Sequence, residues 1–280
     1  MINRYKWWEL VIIYTGMALF LAFILAPFAE AFMVSLRPLE KVFRVPYRFL
    51  TEDMTIRPYI DMWTSVPGLW RYILNSFFIS CAVTVLALLC IIPAAYSFAR
   101  FEYRFRNGIL TAFLAVNMVG AAVLIIPLYK LMLSLGLLNT YWAMIIPGAA
   151  FSVPTGIFLM RSYFLRIPRE LEDAAYVDGA SRLYTLRRVI LPVALPGIMV
   201  VTIATFIAAY AQQFLFALTF NSVTEYHPLP VGLYQFFGRE RVLWNELMAA
   251  SLVGILPVLF VYVFLQKYIV AGLTAGAVKE

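Results

Sequence analysis

Ionisable side chains are scarce in this chain of 280 residues: charged residues make up 13% of it, and His227 is the one histidine. A carrier driven by protons or sodium ions normally keeps ionisable groups at mid-membrane, despite a cost of about 2.5–3.5 kcal/mol each. Here four of the long apolar stretches, 73–99, 141–160, 193–220 and 247–266, contain no Asp, Glu, Lys, Arg or His. That pattern argues against energy coupling through protonation inside the chain. Cysteine is as rare. Cys81 and Cys90 are nine residues apart on one predicted helix, hence on opposite faces and about 13 Å apart along its axis. They cannot pair with each other, and packing is the role expected of them. His227 stands beside Pro228 in a polar stretch and reads as a loop residue. There is no Gly-rich phosphate loop ending in Gly-Lys-Ser/Thr, no His-Glu-x-x-His and no Gly-x-Ser-x-Gly elbow, so no catalytic site is visible.

What the chain has in excess is apolar surface, with 63% hydrophobic and 16% aromatic residues, well above a soluble domain. A helix crossing a bilayer needs about 20 mainly apolar residues. Six segments qualify: Val11–Met33, Ile73–Ala99, Ile109–Tyr129, Tyr141–Met160, Val193–Phe220 and Leu247–Gln266. Backbone groups find no water in lipid, so helices are expected, and the alternating ten-residue pattern of a barrel is missing. The sequence predicts an all-α integral membrane protein with six transmembrane helices. The first segment must be weighed against a signal peptide, because Arg4 and Lys6 precede it and Ala29-Glu30-Ala31 has the small residues of a cleavage site. Its apolar run is longer than the roughly 7–15 residues of a signal, which favours a retained anchor.

The net charge of +7 is spread over several loops rather than gathered in one patch, which favours a topology signal over nucleic-acid binding. With the N-terminus inside, 13 Lys and Arg residues fall on the inner side and 9 on the outer. The bias has the expected sign for cytoplasmic N- and C-termini and is modest.

One polar segment stands out between the apolar runs: Glu172-Asp173-Ala174-Ala175, then Asp178-Gly179-Ala180-Ser181, then Leu191-Pro192. Pro168 suits the opening turn of a short helix, and Glu170, Glu172 and Asp173 sit where the helix dipole favours negative charge. Leu171, Ala174, Ala175 and Asp178 share one shallow face at i, i+3, i+4 and i+7. Gly179 should end this helix, and Ser181 can cap a second one starting at Arg182.

These residues resemble the coupling loop, with its Glu-Ala-Ala triplet, of binding-protein-dependent ABC importer permeases. The stretches Phe214–Phe220 and Gly272–Lys279 narrow the likeness to the smaller permease subunit of the maltose-type carbohydrate family. The chain departs from that pattern at Asp173, where Glu is usual, at Leu186, where Phe is usual, and at Ala211-Gln212-Gln213, where Trp-Asn-acidic is common. The resemblance implies the type I importer permease fold, with residues 1–72 holding the tail, first helix and outer loop. Residues 73–266 would be the permease core with a coupling loop at 168–192, and 267–280 a cytoplasmic tail.

It also implies partners: a second, homologous permease subunit, an ATPase dimer that binds ATP and magnesium, an extracytoplasmic solute-binding protein, and membrane lipid. Glu172, Asp173, Ala174, Ala175, Asp178, Gly179, Ala180 and Ser181, with Leu191 and Pro192, would meet the ATPase, as would Thr274, Gly276 and Lys279 of the tail. Between Asn221 and Glu246 the aromatic Tyr234, Phe236 and Phe237 read as an interfacial belt or as a contact for the binding protein, the latter favoured by the resemblance. Thr202, Thr205, Ala209 and Gln212 form a narrow stripe at i, i+3, i+7 and i+10. With Asn117, its polar members either line a solute path or hydrogen-bond between helices. The function expected is uptake of a carbohydrate or related polar solute. A permease for a glycerol-phosphate-type solute is the alternative within the class, and a secondary carrier or a membrane-bound assembly protein the alternatives outside it.

Overall fold

The computed structural model describes residues 6–45, 49, 53–238 and 241–277, the side chains of 116 and 269–277 excepted. Among the described residues the chain is almost wholly helical, and its one bridge of strand type joins Phe237 and Val242. Two compact units are present. One comprises Met1–Leu69 and Leu233–Ile255, the other Trp70–Gly232 and Leu256–Glu280.

In chain order the helices are α1 (Trp7–Ser35), α2 (Arg57–Ser65), α3 (Leu69–Arg100), α4 (Arg106–Met118), α5 (Ile125–Ser134) and α6 (Trp142–Arg166). They continue with α7 (Glu170–Val177), α8 (Arg182–Thr185), α9 (Leu191–Val193), α10 (Leu195–Phe220), α11 (Leu229–Tyr234) and α12 (Trp244–Ala277). Five are long and apolar enough to cross a membrane: α1, α3, α6, α10 and α12 from Trp244 to Tyr268. In α1, large side chains from Trp7 to Phe32 are exposed around the helix, a surface suited to lipid. This helix runs unbroken through Ala29-Glu30-Ala31. Glu30 near its end pairs with the buried Arg37 at 3.9 Å, and the Asn245 amide donates to the Arg37 carbonyl at 3.1 Å.

The third predicted span is corrected by the structure. Instead of one helix over 109–129 there are two short ones, α4 and α5, separated by turns at 119–124. Pro127 fits the break, although α1, α3, α6 and α12 each run on through internal prolines. In a continuous helix its missing N–H would leave a carbonyl unpaired and its ring would crowd the preceding turn. In the first turn of α5, where N–H groups have no partner inside the helix, neither problem arises. Gly120 precedes the turns that re-aim the chain. Irregular backbone at membrane depth is tolerated where it lines a cavity or is buried in protein.

The core of the second unit lies where α3, α6 and α10 meet, with Ile79, Val83, Ile91, Met144, Ile157, Met160, Val201 and Phe216 buried together. Small residues set the approach. A β-carbon on Gly156 of α6 would lie 2.2 Å from the Ile91 Cδ1 of α3, so glycine lets those helices close. Gln213 of α10 adds polar specificity. Its amide donates to the Ser76 carbonyl at 3.1 Å and the Ser80 hydroxyl at 2.8 Å, and accepts from the Ser76 hydroxyl at 2.7 Å. The Leu229 N–H in turn donates to that Ser76 hydroxyl at 2.9 Å.

Candidate coupling loop and solute cavity

The segment between α6 and α10 folds as its residue types require. The helix α7 opens with Glu170, Glu172 and Asp173 in its first turn, where they complement the dipole. It begins two residues after Pro168, with Arg169 as the cap, so Pro168 precedes the helix and does not form its opening turn as the sequence suggests. It ends in a Schellman turn: the Ala180 N–H bonds to the Ala175 carbonyl at 2.9 Å and the Gly179 N–H to the Tyr176 carbonyl at 3.0 Å. Gly179 takes φ +79° there. Ser181 caps α8, its hydroxyl accepting from the Tyr184 N–H at 3.3 Å. Residues Leu186–Ile190 then form a wide π-helical turn that feeds into α9, with Pro192 in the first turn of that helix. Such turns often mark functional joints.

The loop presents a different face from the one the spacing suggests. Asp173, Ala174, Val177, Asp178, Gly179 and Ser181 are exposed, and so is Pro192, whereas Ala180 and Leu191 are half-buried. Glu172 and Ala175 point inward, 6% and 9% exposed. The two share the inner side of α7, three residues apart. Grouping Ala175 with Leu171, Ala174 and Asp178 as one contact face is therefore corrected, as is placing Glu172 on the docking surface. The carboxylate of Glu172 accepts from Arg100 Nε at 2.5 Å and from the Tyr96 hydroxyl at 3.0 Å, both on α3. Arg100 also donates through its other nitrogen to the Ile167 carbonyl at 2.9 Å, just past α6. Arg100 entered the sequence reasoning only through its charge. An arginine at the inner end of a span, close to an acidic loop, was the available signal.

Beside the loop a groove of about 580 Å³ runs along Ala175, Gly179, Ser181, Tyr184 and Val189. A larger half-open cavity of about 710 Å³ lies where the chain breaks between α4 and α5. Asn117, Thr205 and Gln212 all line it. Thr202 does not, and its hydroxyl instead donates to the Ile198 carbonyl one turn back, at 2.7 Å. The sequence did not single out the α6 contribution, Phe151, Ser152 and Thr155. Asn117 donates to the Thr155 hydroxyl at 2.7 Å, so the amide and hydroxyl form one polar edge. None of the lining side chains is charged, and Phe151, Phe214 and Phe216 supply aromatic surface.

Among the aromatics between Asn221 and Glu246, Tyr234 and Phe237 are exposed and stacked, with centroids 5.8 Å apart. Phe236 is fully buried and cannot serve as a surface contact, which corrects its place in that trio. At the other end α12 carries the backbone through Thr274 and Gly276 as helix, where a separate tail was expected, and Lys279 lies outside the described residues.

Residues 47–275 match the family described as binding-protein-dependent transport system inner membrane component. The inner membrane ABC transporter permease protein YcjP of Escherichia coli is 35% identical over 95% of each chain. The trehalose/maltose transport system permease protein MalG of Thermococcus litoralis is 37% identical, over 74% of this chain and 75% of its own. A solved bacterial ABC transporter involved in import of the acidic polysaccharide alginate has a chain matching 94% of this one and 98% of its own, with TM-score 0.75 and 26% identity.

Proposed function

We propose that this chain, which belongs to the binding-protein-dependent transport system inner membrane components, forms part of a pore for an uncharged carbohydrate. It is a multi-pass inner-membrane permease. The cavity at the α4–α5 break carries the reading, because its lining combines the amide and hydroxyl groups of Asn117, Ser152, Thr155, Thr205 and Gln212 with phenylalanine rings. Sugar hydroxyls suit the first set and the C–H faces of a pyranose suit the second. An anionic solute would meet no cation among the lining residues. The trehalose/maltose name of one relative points the same way, whereas the alginate transporter of similar fold is involved in import of an acidic polysaccharide.

In this reading the chain is not itself a catalyst. ATP and magnesium bind to an ATPase dimer, a second homologous permease completes the pore, and a solute-binding protein delivers the cargo. Both termini lie in the cytoplasm. Closure of the ATPase dimer displaces the loop between Pro168 and Pro192, and the attached helices turn the pore between inward- and outward-facing states, a two-state element biased from another subunit. Asp173, Ala174, Asp178 and Gly179 form the exposed side of that loop.

The assembled complex reconstituted with its binding protein is expected to take up solute only with ATP, in a manner insensitive to ionophores. Neutral oligosaccharides should compete for uptake and glycerol phosphates or uronic acids should not. Uptake abolished by ionophores would point to a secondary carrier, and equal competition by anions would overturn the neutral-solute assignment.

The outer aromatic surface gives a second expectation. Replacing Tyr234 and Phe237 by Ser removes the exposed stacked pair and should weaken stimulation of ATP hydrolysis by the binding protein. Phe236 must be left intact, since truncating a buried Phe costs about 3–5 kcal/mol and would confound the result. A stimulation curve identical to wild type would assign the pair to the lipid interface.

A further inference from the structure

Glu172 sits in the segment expected to meet the ATPase, yet its carboxylate is turned away from that surface and is 93% covered. Its neighbours are donors from a transmembrane helix: Arg100 Nε at 2.5 Å on one oxygen and the Tyr96 hydroxyl at 3.0 Å on the other. The guanidinium of Arg100, 6% exposed, also holds the Ile167 carbonyl at 2.9 Å. One arginine therefore joins the inner end of α3, the end of α6 and the first turn of α7. The surroundings stiffen this junction. Tyr96 packs edge-on against Phe101 and Phe164, the Arg182 guanidinium lies 5.2 Å over the Phe101 ring, and Arg161 of α6 donates to the Phe98 carbonyl at 3.1 Å.

We propose that the buried Arg100–Glu172 pair, with Tyr96, is the joint through which displacement of the coupling loop reaches α3, and that Glu172 makes no contact with the ATPase. The inference rests on the importer reading above. A helix of eight residues attached only by its ends could tilt or slide when pushed. Clamped by two charge-assisted hydrogen bonds in a dry setting, it moves with α3 instead. The exposed side, Asp173 to Gly179, is then free to bind. Two adjacent acidic residues thus divide the work: Glu172 transmits and Asp173 faces the partner. Glu172 is a positioning residue.

The test uses the reconstituted complex of permeases, ATPase and binding protein. Solute moved per ATP hydrolysed is measured together with retention of the ATPase on purification. Glu172→Gln and Arg100→Met are each expected to lower solute moved per ATP by roughly 5- to 100-fold, the usual range of coupling between sites, with the ATPase still attached. Tyr96→Phe, which keeps the ring and removes one donor, should give a smaller drop of the same kind. The reciprocal exchange Glu172→Arg with Arg100→Glu should recover part of the loss. Wild-type solute movement per ATP in both Glu172→Gln and Tyr96→Phe would overturn the proposal. So would loss of the ATPase from Glu172→Gln at normal permease yield, since that marks Glu172 as a docking contact. Failure of wild-type complex to take up solute with ATP is a separate result and overturns the importer reading instead.

Discussion

Gly179→Leu is expected to reduce uptake by about tenfold or more while the chain inserts and accumulates normally, because the residue lies in a water-facing turn and not in lipid. Two effects are combined in that substitution and the structure separates them. Gly179 has φ +79°, a region that costs an ordinary L-residue roughly 1–2 kcal/mol. A β-carbon at this position would meet nothing within 4 Å in the chain itself, so bulk at the β-carbon can act only against a partner. Gly179→Ala carries the strain with almost no bulk, and Gly179→Asn carries bulk in a residue that tolerates the left-handed region. If Asn behaves as Gly while Ala and Leu lose uptake alike, the turn geometry is what coupling needs. If Asn and Leu both shed the ATPase and Ala does not, the turn is pressed against the partner. Asp173→Glu, on the exposed side of α7, should be tolerated. Normal uptake by Gly179→Leu with its ATPase attached would reduce the segment to a mere connection.

Residues of the loop's turns were legible because backbone chemistry dictates them: a glycine at the left-handed C-terminal position, a serine at a helix start, prolines near the boundaries. The five long spans were legible for a similar reason, since hydropathy over about 20 residues outweighs local detail. What the sequence hid was direction. Glu172 and Asp173 are chemically alike neighbours, and only the presence of Arg100 and Tyr96 seventy-odd positions earlier decides which of them turns inward. Phe236 and Phe237 pose the same problem in the outer segment, one fully buried and the other about half exposed. The break between α4 and α5 was visible in Pro127 and Gly120, but a continuous apolar run concealed it. Periodicity placed Thr205 and Gln212 on one stripe, with Asn117 grouped beside them by its polarity, and the fold adds Ser152 and Thr155 from α6. A long-range convergence of that kind has no local signature.

Ala211→Trp is expected to abolish or strongly reduce uptake of the natural solute, by about tenfold or more, while leaving assembly intact. Ala211 is exposed in the chain and lines the cavity of about 710 Å³ beside Gln212. An indole there takes up space next to the polar edge without displacing any buried group of this chain. The small residue leaves this cavity wider than an indole would, so the loss should depend on solute size, with short sugars passing better than long ones through the variant. Gln213→Leu is the control that separates selectivity from packing. Gln213 is 3% exposed and needs its amide N–H groups for the Ser76 carbonyl and the Ser80 hydroxyl. A leucine there offers neither a donor to the Ser80 hydroxyl nor an acceptor for the Ser76 hydroxyl, and each buried group left unsatisfied costs about 1–3 kcal/mol. This control should lower thermal stability and yield with no change in the pattern of competing solutes. A size-independent loss in Ala211→Trp accompanied by lower stability would assign the cavity to packing rather than to the path of the solute.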